Sequence, residues 1–112
     1  MESSKPKLIE KRLIETFLAP GAQPDPEIVI QSREMTGAGF YIAFTVAASL
    51  RQLGVDELPN GPMRGPEIVS PELRDGAGSL LWPNSAGVHE LEVYTYTEPF
   101  PEDLREFTLQ RS

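Results

Sequence analysis

The chain has no cysteine, one histidine and one tryptophan, and it is poor in cations: ten Lys and Arg stand against seventeen Asp and Glu. Without cysteine there is no disulfide framework and no thiolate zinc site. With His89 as the sole histidine, a Ser-His-Asp arrangement needs residues that nothing in the pattern flags, and a zinc ion lacks its usual ligands. No residue is therefore read as catalytic, as a metal ligand or as a cofactor contact. Long hydrophobic runs are also missing. None approaches the roughly 18–20 residues that cross a bilayer as a helix, and the first 22 residues carry charges throughout, unlike a signal peptide. A cysteine-free chain fits the cytoplasm.

The scarcity of cations is uneven. Residues 1–12 sum to +2, so the other hundred carry −9 of a total of −7. An acidic body repels phosphate backbones, which argues against nucleic acid as a partner. It can steer a basic protein partner; it equally serves to keep a small protein in solution. A length of 112 residues makes one domain, 1–112, with a small core. The 11 prolines and 9 glycines fall between apolar runs and read as turn punctuation.

What is present is organised around a near-repeat. Pro26-Glu27-Ile28-Val29 recurs as Pro66-Glu67-Ile68-Val69, and each copy is followed by Gly-Ala-Gly, at 37–39 and 76–78, and then by an apolar run. Each unit reads as strand, glycine turn, strand. Whether duplication or convergence on one turn requirement produced the match stays open. Before the first unit, Ile9, Leu13 and Phe17 at i, i+4 and i+8, with Ile14 and Leu18 beside them, predict a helix over 6–18 that ends at Ala19-Pro20-Gly21. Strands are expected at 27–35, 40–47, 67–70, 79–83 and 88–97, with a last edge strand near 107–109. In the first of them Ile28 and Ile30 point one way and Glu27, Val29, Gln31 and Arg33 the other. Residues 47–53 read equally as a short helix or as the end of a strand. The fold class that follows is α+β: an N-terminal helix packed on a five- or six-stranded, mainly antiparallel meandering sheet built from two similar hairpins.

The richest candidate surface is the strand from Val88 to Glu98. Alternation puts Leu91, Val93, Thr95 and Thr97 on one face and Glu90, Glu92, Tyr94, Tyr96 and Glu98 on the other. Carboxylates interleaved with tyrosines suit a cation, a sugar or a basic protein surface; the plainer reading is the wet face that an antiparallel sheet normally has. Glu90 and Glu92, about 7 Å apart along one strand, have no apolar pocket to raise one pKa and do not make a glycosidase pair. Trp82 reads as core or as edge cover, with ligand stacking as the alternative. The Gly-Ala-Gly segments each lead into a strand, so they are not phosphate-binding loops.

Arg33-Glu34-Met35-Thr36-Gly37-Ala38-Gly39-Phe40 and Leu91-Glu92-Val93-Tyr94-Thr95-Tyr96-Thr97-Glu98-Pro99-Phe100-Pro101 resemble the R-E-x-T-G-x-G-F and L-E-x-Y-x-Y-x-E-x-x-P segments of a family of small uncharacterised bacterial proteins. The resemblance covers about residues 28–109. It implies a compact bacterial α+β protein and no particular activity. Small acidic proteins of this kind are sometimes immunity proteins beside toxins, a looser link that no residue carries. The expectation is a non-enzymatic module that binds a basic protein through Glu90, Glu92, Tyr94, Tyr96 and Glu98, with Arg33 and Trp82 as further binding residues. The alternatives are a small-molecule binder or enzyme with a site inside a curled sheet, lined by Phe40, Phe44 and Trp82, and a structural homodimer.

Overall fold

Ile9, Leu13, Ile14 and Phe17 are buried along one side of α1 (Leu8–Glu15) and its final turn, as their spacing requires. The computed structural model describes residues 5–19, 21, 26–48, 50, 62–84, 87–96, 99–101 and 104–110. The helix is shorter than its apolar period suggests. Thr16 and Phe17 donate backbone N–H to the carbonyls three residues back, and the Thr16 hydroxyl also donates to the Leu13 carbonyl at 2.7 Å. That 3₁₀-type tightening closes the helix while still delivering the Phe17 ring to the core. At the other end Pro6 lies outside the helix. Lys7 is the extended N-cap residue, and its N–H donates to the Glu10 carboxylate at 2.8 Å.

Among the described residues seven strands follow, more than the five or six expected: β1 (Ile28–Met35), β2 (Gly39–Val46), β3 (Met63–Arg64), β4 (Glu67–Ser70), β5 (Leu73–Trp82), β6 (His89–Thr95) and β7 (Thr108–Gln110). All their pairings are antiparallel, in the order β1-β2-β6-β5-β4-β7, with β3 also on β5. The α+β class with an antiparallel sheet therefore holds. The simple meander does not, because β6 sits between β2 and β5 and joins the β1–β2 hairpin to the rest. One face of the sheet carries Ile30, Phe40, Ile42, Phe44, Ile68, Leu81, Leu91 and Val93, which form a single buried cluster with the apolar side of α1. Of residues 47–53, the structure describes Ala47, Ala48 and Leu50: the first two lie in a bend and Leu50 bridges Leu18.

Two departures from the sequence pattern matter for what the surface presents. The first is in β1. Its register against β2 slips between Ile30 and Ser32, so Gln31 is an extra, bulged residue. Ile28 and Ile30 are buried before the bulge; after it, Arg33 pairs with Ile42 and Met35 with Phe40. Arg33 thus shares the helix-covered face with the residues that strict alternation set it against. The second concerns the repeat. The β4–β5 turn is at Pro71-Glu72, where the Ser70 hydroxyl accepts the Glu72 N–H at 3.0 Å and donates to the Glu106 carbonyl. Gly76-Ala77-Gly78 lies inside β5. Between the pairs Ile68–Ala77 and Ser70–Leu73, β5 advances two residues more than β4, and Gly76 takes up the excess at φ +79°. The two Gly-Ala-Gly segments are a hairpin turn in one unit and a strand irregularity in the other, so the two hairpins differ in design.

They nonetheless meet. Gly39 and Gly78 both pair with Tyr94, one from each side of β6. The carbonyl of Ala38 accepts the N–H and the hydroxyl of Thr95, whose other neighbour across the sheet is Ala77.

His89 ends the core side of β6. Its ring is half-buried, with its centroid 5.6 Å from that of Phe44, and its Nδ1 accepts the Asn84 N–H at 3.0 Å. Burial holds its pKa below the ordinary value. The folded chain therefore takes up this proton less readily than the unfolded chain, so stability is full above about pH 6.5 and falls as the pH drops through that value. We expect the melting temperature to fall by about 2 °C between pH 7.5 and 5.5, a small shift because solvent screens the ring. His89→Gln should remove most of that fall; a wild-type melting temperature that is flat across the interval would refute the assignment.

Candidate functional site

The face of the sheet away from α1 is built by rows of cross-strand neighbours. One row runs Glu34 on β1, Tyr41 on β2, Glu92 on β6, Leu80 on β5 and Arg64 on β3. Beside it lie Ser32, Ala43, Glu90 and Trp82. Alternation within each strand decides who faces out: Tyr41 stands between the buried Phe40 and Ile42, and Glu92 between the buried Leu91 and Val93.

Glu92 is the centre of this face. The Tyr41 hydroxyl donates to its Oε2 at 3.2 Å and the Trp82 indole N–H donates to its Oε1 at 3.3 Å. Two aromatic side chains from strands on either side thus converge on one carboxylate, and both remain open to solvent, at 39% and 42% exposure. The Tyr41 phenol is held above its usual pKa, first by the hydrogen bond it gives Glu92, then by the charge of Glu92, with partial burial and the charges of Glu34 and Glu90 adding to it. The three carboxylates therefore surround the phenol closely enough for their fields to act on it. At the lower end of the strand the rings of Tyr94 and Tyr96 meet edge to face, with centroids 5.8 Å apart. Tyr94 lies across Gly78, where a Cβ would come within 2.4 Å of its ring. Tyr96, half-exposed, has its phenol raised by burial and then by the charge of Glu67 on β4.

Of the expected binding residues, Glu90, Glu92, Tyr94, Tyr96 and Trp82 are brought together here. Glu98 lies outside the described residues. Arg33 does not belong to the face: the bulge at Gln31 turns it to the helix side, where Nε and Nη2 donate to the two oxygens of Glu10 at 2.8 Å each. Nη2 also donates to the Lys5 carbonyl. Nor do Phe40, Phe44 and Trp82 line a common site, since the two phenylalanines are buried in the core and Trp82 stands on the outer face. Tyr41, Glu34 and Glu67 are the residues that sequence reasoning missed. Alternation already turned Tyr41 outward; only the pairing of β2 with β6, across some fifty residues of chain, sets it against Glu92.

Among the described residues no group of three or more His, Asp or Glu is placed to hold a metal ion, and no helix is long and apolar enough to cross a membrane. No protein-family model, curated protein or solved structure matches the chain.

Proposed function

We propose that the chain is a non-enzymatic binding module that takes a basic protein on the outer face of its sheet, with Glu92 at the centre. The observation that carries this reading is the convergence of Tyr41 and Trp82 on Glu92, flanked by Glu34 and Glu90. Aromatic rings supply apolar area and a face for cations at little entropic cost, and the carboxylates offer charge-assisted hydrogen bonds to Lys or Arg. Because Glu92 already accepts two hydrogen bonds, its oxygens are held in place before any partner arrives. A net charge of −7 adds long-range attraction for a basic surface and gives the encounter a strong salt dependence. An immunity-like inhibitor acting on a basic toxin in the bacterial cytoplasm is the sharpest form of this proposal, in keeping with the resemblance noted above.

The sole tryptophan lies in the proposed contact, so its emission reports on it. Affinity capture with the wild-type chain should recover a basic protein whose addition shifts Trp82 fluorescence. Glu92→Lys should weaken that binding about a hundredfold, as expected for a central charge reversal, and Lys7→Gln, on the other side of the sheet, should leave it unchanged. Equal recovery by wild type and Glu92→Lys would sink the proposal. A change in the solution mass of the chain itself on Glu92→Lys would point instead to a homodimer through this face.

A further inference from the structure

A second site is built on the opposite side of the sheet and is independent of the reading above. Between the start of α1, the end of β1, the start of β2 and residues 100, 101, 104 and 105 lies a cavity of about 160 Å³. Its walls are apolar: Leu8, Met35, Phe40, Phe100 and Leu104. The Phe40 and Phe100 rings meet edge to face at 5.2 Å, and the Phe100 N–H donates to the Gly37 carbonyl, which fastens the 99–101 segment to the hairpin turn. Leu8 and Met35 are 53% and 50% exposed, an unusual degree for large apolar side chains, and both stand on this cavity.

Its charge is inverted relative to the rest of the molecule. Lys7, Arg33 and Arg105 line it against a single carboxylate, that of Glu10. Glu10 is 2% exposed and its oxygens already accept three hydrogen bonds, from the Lys7 N–H and from Arg33 Nε and Nη2. Its charge is thus met within the fold. Lys7 is exposed, so an anion at the mouth meets it while keeping part of its hydration. The volume is close to that of a cavity of about 150 Å³ known to hold one benzene ring.

We infer that this cavity binds a small apolar monocarboxylate, an arylacetic acid or a short acyl acid, with its ring or chain against Phe40, Phe100 and Leu104 and its carboxylate toward Lys7. The size of the ligand is limited to one ring, and the affinity is correspondingly modest, with a dissociation constant on the order of 1 mM.

The test is a titration of the ¹⁵N-labelled full chain with phenylacetate, and in parallel with its neutral counterpart phenylacetamide. Phenylacetate should shift the amides of Met35, Phe40 and Leu104 and saturate, and phenylacetamide should bind at least about fivefold more weakly. Met35→Glu, at a half-exposed position, places a like charge at the mouth and should weaken phenylacetate about tenfold or more. Lys7→Gln should narrow the gap between acid and amide. Absence of localised shifts up to about 20 mM, far above the expected constant, would overturn the site. Equal binding of acid and amide would overturn the ligand class, and unchanged binding by Met35→Glu would overturn the location.

Discussion

Arg33→Met should destabilise the chain by about 3 kcal/mol, the cost of leaving a buried charge without its partner. The carboxylate of Glu10 is 3% exposed and fixed on the first turn of α1, with nowhere to go when the guanidinium is removed. Of its three hydrogen bonds only that from Lys7 would remain. Methionine fills much of the volume of the arginine stem, so the loss measures charge and hydrogen bonding more than packing. The reverse change, Glu10→Gln, should cost less, because Arg33 is 21% exposed, at a sheet edge, and can turn its head group to water. The guanidinium pKa is raised by the hydrogen bond to Glu10 and by the charge of Glu10, against an opposing contribution from burial, so the pair is held with Arg33 charged throughout the accessible range. The decisive measurement is a set of urea melts on Arg33→Met, Glu10→Leu and the double variant. The double variant should recover most of the loss, since an apolar pair of similar volume has no charge to desolvate. A double variant as unstable as the sum of the two single ones would show that the pair contributes through shape alone.

Gly39→Ala should be the more damaging change, costing above about 4 kcal/mol, the range reached when backbone must move, and it should leave little folded protein at 37 °C. A Cβ at this position would lie 1.8 Å from the Val93 carbonyl oxygen and 2.9 Å from the Tyr94 Cα. Both are backbone atoms, so no rotamer change relieves the clash. The strands that would have to part are β2 and β6, whose pairing from Gly39–Tyr94 to Phe44–His89 joins the first hairpin to the rest of the sheet. Gly78→Ala is the control. There the obstructing atoms are the end of the Tyr94 ring, at 2.4 to 2.7 Å, and a ring can swing aside for about 1–2 kcal/mol. Circular dichroism melts on the two variants should separate them by about 10 °C or more, from the entropy of unfolding of a chain this size. Equal losses would mean that the β2–β6 approach at Gly39 is looser than described.

The strands whose faces were legible in the sequence are those with a two-residue period unbroken from end to end. Phe40, Ile42 and Phe44 against Tyr41 is such a case, and so is Leu91 and Val93 against Glu90 and Glu92; both keep their faces in the structure. Glu90, Glu92 and Tyr94 could therefore be placed on one exposed surface from spacing alone. Arg33 could not, because its side depends on a bulge one turn of the pleat earlier, and that bulge leaves no local mark in Ile-Val-Ile-Gln-Ser-Arg. What stabilises Arg33 on the inner face is a carboxylate 23 residues away on another element. The second turn shows the same limit. Glycine is the stronger turn signal in isolation, yet a serine hydroxyl capping Pro71-Glu72 closes the hairpin first and leaves Gly76-Ala77-Gly78 to the strand. Tyr41 and Trp82 were each visible as aromatic residues; their meeting at Glu92 depends on strand order, which local pattern does not carry.

The row Gly39–Tyr94–Gly78 ties two distant positions to a third in different ways. The constraint on residue 78 comes from a side chain, so it lapses in any descendant of this chain that carries a small residue at 94. The constraint on residue 39 comes from a peptide group and persists whatever residue 94 becomes. Two glycines that look equivalent in the repeat should therefore drift at different rates, one tied to its tyrosine and the other fixed.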